Sequence, residues 1–247
     1  MNFRTRFALV VTIFAMAAAP AIAQRIDPKV AFDPSRGDAL SNPAFKGPEV
    51  LRFIGLKRGD RIADIVSGRF ATAFGEMVGP QGRVFAIVPV EIFKNQPQLP
   101  DEIKANSGKP QFANVEYSTP AIDAMVLPGN LDAVFIRQNY HDLHDRFMGP
   151  ADVAAFNRKV FAALKPGGVF VVIDHTAVAG SGLAATDTLH RIDPAAVKAE
   201  VTAAGFVLDG ESAILANPAD PHNQFVLDPA MLGKTDQFML RFRKPAR

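Results

Sequence analysis

Short apolar runs separated by helix-length amphipathic stretches recur from residue 61 to residue 173, and this alternation constrains the fold more than any other feature of the chain. Arg61 to Val66 (RIADIV) and Arg83 to Val88 (RVFAIV) are bounded by turn residues, as buried strands are. Between them Phe70, Phe74, Met77 and Val78 fall at helical spacing, which predicts a strand, helix, strand unit. Further strands are expected near Val115-Glu116-Tyr117, at Leu131 to Ile136 and at Val169 to Ile173. A helix from Ala151 to about Leu164 presents Val153, Phe156, Val160 and Phe161 on one face and stops before Pro166-Gly167-Gly168. Another starts at Asp193-Pro194, where Asp can cap and Pro suits the first turn, and ends at Gly205. Such alternation predicts a parallel sheet with helices on both faces. The run Gln237 to Arg243 follows a long loop rather than a helix, so a last, antiparallel strand is expected there.

The sheet must be stabilised by its core alone, because the chain has no cysteine and therefore no disulfide, thiolate nucleophile or zinc-thiolate site. Residues 1–23 read as a signal peptide. Arg4 and Arg6 precede an apolar run from Phe7 to Ala19 that only Thr12 interrupts, and Ala21-Ile22-Ala23 has the small-x-small pattern of a cleavage site. The run is shorter than the roughly 20 residues of a spanning helix, and Pro20 closes it, so stable membrane insertion is not expected. The expected location is periplasmic or secreted, with a mature chain starting near Gln24. Residues 24–47, punctuated by Pro28, Pro34 and Pro43, are expected to form a surface arm, and residues 48–247 a single domain. Loss of Arg4 and Arg6 would take the 27 basic residues to 25, equal to the 25 acidic ones. A neutral chain without charge runs gives no reason to expect nucleic acid or an anionic membrane as partner. The basic residues near the end (Arg241, Arg243, Lys244, Arg247) are expected to be a solvated strand and tail.

In an open sheet of this type ligands bind beyond the carboxyl ends of the strands. The segment from Leu56 to Pro89 resembles the first cofactor-binding motif of class I S-adenosylmethionine-dependent methyltransferases, with Asp64 at the strand-end acid and Gly68 at the middle glycine. Leu131 to His144 is similar to that family's fourth strand and the loop facing the substrate, and Asn157 to His175 to its fifth strand and preceding turn. The finer stretches Asn139 to Asp142, Asp174-His175, Leu189 to Asp193 and Lys234 to Phe238 are similar to a bacterial subfamily of exported predicted methyltransferases. The resemblance implies a Rossmann-like, seven-stranded α/β sheet of order 3-2-1-4-5-7-6 with the last strand antiparallel. It also implies S-adenosylmethionine as cofactor and a small molecule as methyl acceptor. Asp64, Ser67, Gly68, Glu91, Asn139 and Tyr140 are the implied cofactor contacts. Val66 and Phe70 stand where the family has two further glycines, which would narrow the space for the methionine portion. Glu91 stands three residues beyond Val88, where the family has its ribose-binding acid; a first-turn glutamate also suits a helix dipole.

All five histidines, at 141, 144, 175, 190 and 222, lie in the second half of the chain. His141-Asp142 and Asp174-His175 follow predicted strands, so they are expected to open onto one cleft as the catalytic group. His141 is the first candidate for general base, oriented by Asp142 or Asp174. The same residues could instead tie the loop together by hydrogen bonds. His141, His144 and His175 have the types of a metal site but only loosely its spacing, so no metal ligand is assigned. Arg191 could pair with a carboxylate of the substrate or cofactor, but a salt bridge to Asp187 or Asp193 is the expectation, and Thr235-Asp236 is expected to brace a turn. Two alternatives to methyl transfer stand: a fold that kept a ligand but lost the reaction, and a metal-assisted hydrolase built on the three histidines. Oligomeric state cannot be read from the pattern.

Overall fold

The computed structural model describes residues 37–246, so the expected signal peptide and the first part of the arm lie outside the described residues. The chain runs α1 (Gly47–Ile54), β1 (Arg61–Ile65), α2 (Ala71–Val78), β2 (Arg83–Ile87), α3 (Leu99–Asn106), β3 (Val115–Ser118) and β4 (Leu131–Arg137). It continues through α4 (Val153–Ala163), β5 (Leu164–His175), α5 (Thr186–Leu189), α6 (Pro194–Ala203), β6 (Val207–Ser212) and β7 (Gln237–Arg243). One seven-stranded sheet has the order β3-β2-β1-β4-β5-β7-β6. β1 to β5 pair in parallel, and β7 runs antiparallel between β5 and β6.

Side chains alternate across the strands and divide the core into two layers. Ile62, Val84, Phe135, Val171 and Met239 pack under α1 and α2, where Val50, Leu51, Ile54, Phe74 and Val78 meet them. Ile65, Val134, Ile136, Phe170 and Leu240 face the other way, onto Phe156 and Val160 of α4 and Val197 and Val201 of α6. The helix ends follow local chemistry. The Asp152 carboxylate accepts from Ala155 N at 2.8 Å and caps α4; Asp193 accepts from Ala195 N at 2.9 Å, beside Pro194, and caps α6. Gly205, at φ +103°, turns the chain out of α6 while keeping clear of the Phe161 ring.

One segment differs from the sequence expectation. Part of the expected surface arm is packed: Ala39 is buried, its N–H donates to Arg69 O at 2.9 Å, and Phe45 inserts into the α1–α2 layer. Gly47 makes this possible, because a Cβ there would lie 2.0 Å from the Ala39 carbonyl oxygen. β6 has no apolar alternation, since as an edge strand it is mostly exposed. No helix among the described residues is long and apolar enough to cross a membrane.

Candidate functional site

The strand order reverses between β1 and β4, whose neighbouring carboxyl ends therefore diverge into loops on opposite sides and leave a crevice. A cavity of about 210 Å³ occupies it. Its wall runs from Asp64, Val66, Gly68 and Phe70 after β1, past Asn95 and Gln96 beyond β2, to Arg137, Asn139, His141 and Asp142 after β4 and His175 at the end of β5. Phe45, Phe147, Val226, Leu227 and Leu232 add apolar surface.

The backbone makes the turn after β1 without a glycine at position 66 or 70. Val66 takes φ +54°, the left-handed conformation usual for glycine, at a cost of about 1–2 kcal/mol for a residue with a Cβ. Gln138, just past the neighbouring β4, also stands at φ +60°. Phe70 does not plug the cavity: it is buried against Phe74 and Phe135, with ring centroids 5.7 and 5.2 Å away. The tight turn survives because Val66 bears the strain and Phe70 joins the core.

Asp64 is buried, and its carboxylate accepts from Ser67 Oγ at 2.7 Å. Burial pushes its pKa up to about 7, although Ser67 and the Gly68 N–H pull the other way. Ser67 thus acts on the cavity through Asp64 and is not itself in the wall. Gln96, absent from the sequence expectation, is buried in the wall with its Oε1 unpaired. Glu91, expected at the ribose, instead accepts from Ile122 N at 3.1 and 3.3 Å and is not part of the wall. The strand after Val88 bends into a tight turn that carries Glu91 toward the next loop and brings Gln96 to the cavity.

At the opposite end the turn His141–His144 sorts its side chains by helical spacing. Tyr140 and His144 share one side: both reach Glu200 Oε2, at 3.0 and 3.3 Å, and Tyr140 packs in the α4–α6 layer. Tyr140 is therefore not a cavity residue, and the expected trio of His141, His144 and His175 does not assemble. His141 and Asp145 point the other way. His141 Nδ1 lies 2.8 Å from Asp174 Oδ1, its N–H donates to Asp174 Oδ2 at 2.8 Å, and its Nε2 lies 3.1 Å from Asp142 Oδ1 and 3.0 Å from His190 Nδ1. Asn139 donates to Asp142 Oδ2 at 2.6 Å.

Burial alone would lower the pKa of His141, but Asp174 and Asp142 override it and hold the imidazole well above its ordinary value. With both ring nitrogens engaged, His141 is not a free general base. The Asp142 carboxyl is buried, but His141 and His190 hold it well below the usual carboxylate range. His175 is pushed well below its ordinary value by burial and by the positive charge of His141 and Arg137, and its Nδ1 meets the Thr235 hydroxyl at 2.8 Å. It is the neutral imidazole of the wall. Asp174 lies behind both histidines and serves to position them.

Arg191 departs from expectation as well. It is fully buried and pairs in bidentate fashion with Asp220, at 2.8 and 3.1 Å, while donating to the carbonyls of Thr176 and Gln224. Asp187 pairs with Arg146 instead, and Asp193 is the α6 cap. Arg191 thereby anchors the loop of residues 217–236, which supplies Val226, Leu227 and Thr235 to the cavity.

No family model matches the sequence, and no curated protein matches it. Solved structures do match the fold. An S-adenosylmethionine-dependent methyltransferase from Aquifex aeolicus superposes with a TM-score of 0.53 at 21% identity, covering 86% of this chain and 99% of that one. The cyclase SpnF gives 0.58 at 15% identity, covering 92% and 96%. The glycopeptide N-methyltransferase MtfA, complexed with sinefungin, gives 0.56 at 14% identity, covering 85% and 87%. The architecture is the Rossmann-like fold of S-adenosylmethionine-dependent methyltransferases.

Proposed function

We propose that this chain is an S-adenosylmethionine-dependent methyltransferase acting on a small molecule. The observation that carries the reading is the open cavity at the β1–β4 crevice, kept by the left-handed Val66 and the withdrawn Phe70 ring. The residues fit the cofactor. Asp64, braced by Ser67, and the backbone at Gly68 would hold its methionine portion; the unpaired Gln96 Oε1 is an acceptor for ribose hydroxyls. When bound, the cofactor supplies an electrophilic methyl group. The chain's own contribution is then to exclude water with Phe45, Phe147 and Leu227 and to orient the acceptor against Asn139, Asp142 and His175. His175 lines the cavity as a neutral imidazole with Nδ1 on the Thr235 hydroxyl, which suits it to hydrogen-bond and orient the acceptor rather than to take up its proton. MtfA, whose structure holds sinefungin, supports the choice of cofactor by fold.

Export of the chain after residue 23 belongs to the same proposal, and it places the reaction where the cofactor must be supplied from the cytoplasm. Calorimetric titration of the purified protein with S-adenosylmethionine and with its demethylated product tests the reading. One-to-one binding of both is expected, and no heat at millimolar ligand would remove it.

A further inference from the structure

Three side chains of the cavity wall, His141, Asp142 and His190, converge with the buried carboxylate of Asp145 on one point. We infer that His141 Nε2, His190 Nδ1 and the carboxylates of Asp142 and Asp145 form a binding site for one divalent first-row transition-metal ion of the zinc class.

The spacing is that of a coordination sphere. His141 Nε2 lies 3.0 Å from His190 Nδ1 and 3.1 Å from Asp142 Oδ1, and His190 Nδ1 lies 3.2 Å from Asp142 Oδ1 and 3.6 Å from Asp145 Oδ2. All four ligand atoms lie within 4.8 Å of one another. Tetrahedral ligands at about 2.0–2.1 Å from an ion stand about 3.3–3.4 Å apart, so small adjustments close the sphere.

Asp145 supplies the independent observation. It is 1% exposed, and neither carboxylate oxygen has a hydrogen-bond partner. A buried carboxylate left that way costs several kcal/mol unless a charge compensates it. A divalent ion held between Asp142 and Asp145 would give both Asp145 oxygens a charge partner.

The protonation pattern agrees. Asp174 accepts at His141 Nδ1, which leaves Nε2 as the ring nitrogen aimed at the cluster, and an ion bound there would displace the proton that Nε2 otherwise shares with Asp142. This is the carboxylate–histidine arrangement that orients metal ligands. His190 is held toward the cluster at a cost, with φ +52° at the end of α5 and its ring edge-on to Phe225 at 5.5 Å. Two imidazoles with carboxylates favour zinc, cobalt or manganese over calcium or magnesium, which take oxygen ligands. His141, Asp142 and His190 also line the cavity, so the ion would face the acceptor end. The inference does not rest on the methyltransferase reading.

The test uses the full-length, untagged chain after treatment with a chelator. Zinc is titrated in competition with a chromophoric chelator, and cobalt absorption reports the coordinating atoms. One equivalent of zinc, a rise in melting temperature and a cobalt spectrum of nitrogen and oxygen ligands are expected. Asp145→Asn and His190→Ala should each weaken zinc binding by about 100-fold or more. His144→Ala should leave it unchanged, because that imidazole lies on Glu200. Metal-free Asp145→Asn should melt no lower than wild type, since neither oxygen of the buried carboxylate it replaces is in a hydrogen bond. Less than a tenth of an equivalent bound by wild type, or parental affinity in both the Asp145→Asn and His190→Ala variants, would overturn the site. S-adenosylmethionine binding, measured on the same preparation, reports separately on the methyltransferase reading.

Discussion

Replacing Asp64 with Asn isolates the energetic cost of keeping an acid at the head of the cavity. The Asp64 carboxyl has an ordinary pKa of 3.8 and, once folded, one of about 7. Between these values the unfolded chain has lost a proton that the folded chain still holds, so stability falls as pH rises. The full contribution is present below 3.8 and is gone above 7. At about 1.36 kcal/mol per pH unit, the burial costs about 2 kcal/mol at pH 5 and about 4 kcal/mol at pH 8. Asn cannot ionise, yet its carbonyl oxygen can still accept from Ser67 and Gly68. Asp64→Asn should therefore match wild type near pH 4 and exceed it by about 4 kcal/mol at pH 8. Urea denaturation of both proteins across this range measures the difference, and other titrating groups cancel because both proteins share them. A gap that does not widen with pH, or a variant less stable at pH 8, would refute the reasoning. The same variant should bind S-adenosylmethionine more weakly, which separates stability from function at this residue.

The remaining predictions concern the loop and the far end of the cavity. Arg191→Ala should cost about 3–5 kcal/mol in denaturant titration, since it strands Asp220 in the interior. Burial would raise the Asp220 pKa, but Arg191 and the N–H groups of His222 and Asp236 hold it below 3.8; the pair's stability should be present above that pH and lost as pH falls below it. Acid unfolding of wild type against Arg191→Ala checks the sign. Gln96→Leu should weaken S-adenosylmethionine binding by about tenfold, the worth of one hydrogen bond, without lowering the melting temperature, because the amide oxygen is unpaired.

Much of the fold was legible along the chain. β1, β2, β4 and β5 are apolar runs because a parallel strand is buried on both faces, and α4 and α6 carry one apolar stripe because only one face meets the sheet. Caps at Asp193 and the stop at Gly205 are local and were readable for that reason. β6 was not, because an exposed edge strand needs no apolar pattern. The site was half legible. Strand-end placement brought His141, Asp142 and His175 to the cavity and the family resemblance Asp64, Gly68 and Asn139, while Asp174 and the implied contacts Ser67, Tyr140 and Glu91 lie outside its wall.

By itself the sequence determined the sheet, its two helical layers and the strand ends where chemistry collects, because periodicity and turn residues act over a few positions. The tertiary structure alone decided which polar groups meet. One turn after β4 sends Tyr140 and His144 to Glu200 and aims His141 and Asp145 at His190, which lies 45 residues beyond Asp145 in the chain. Arg191 likewise finds Asp220 rather than its near neighbours. Such contacts depend on where loops return over the sheet, and no local pattern encodes the return.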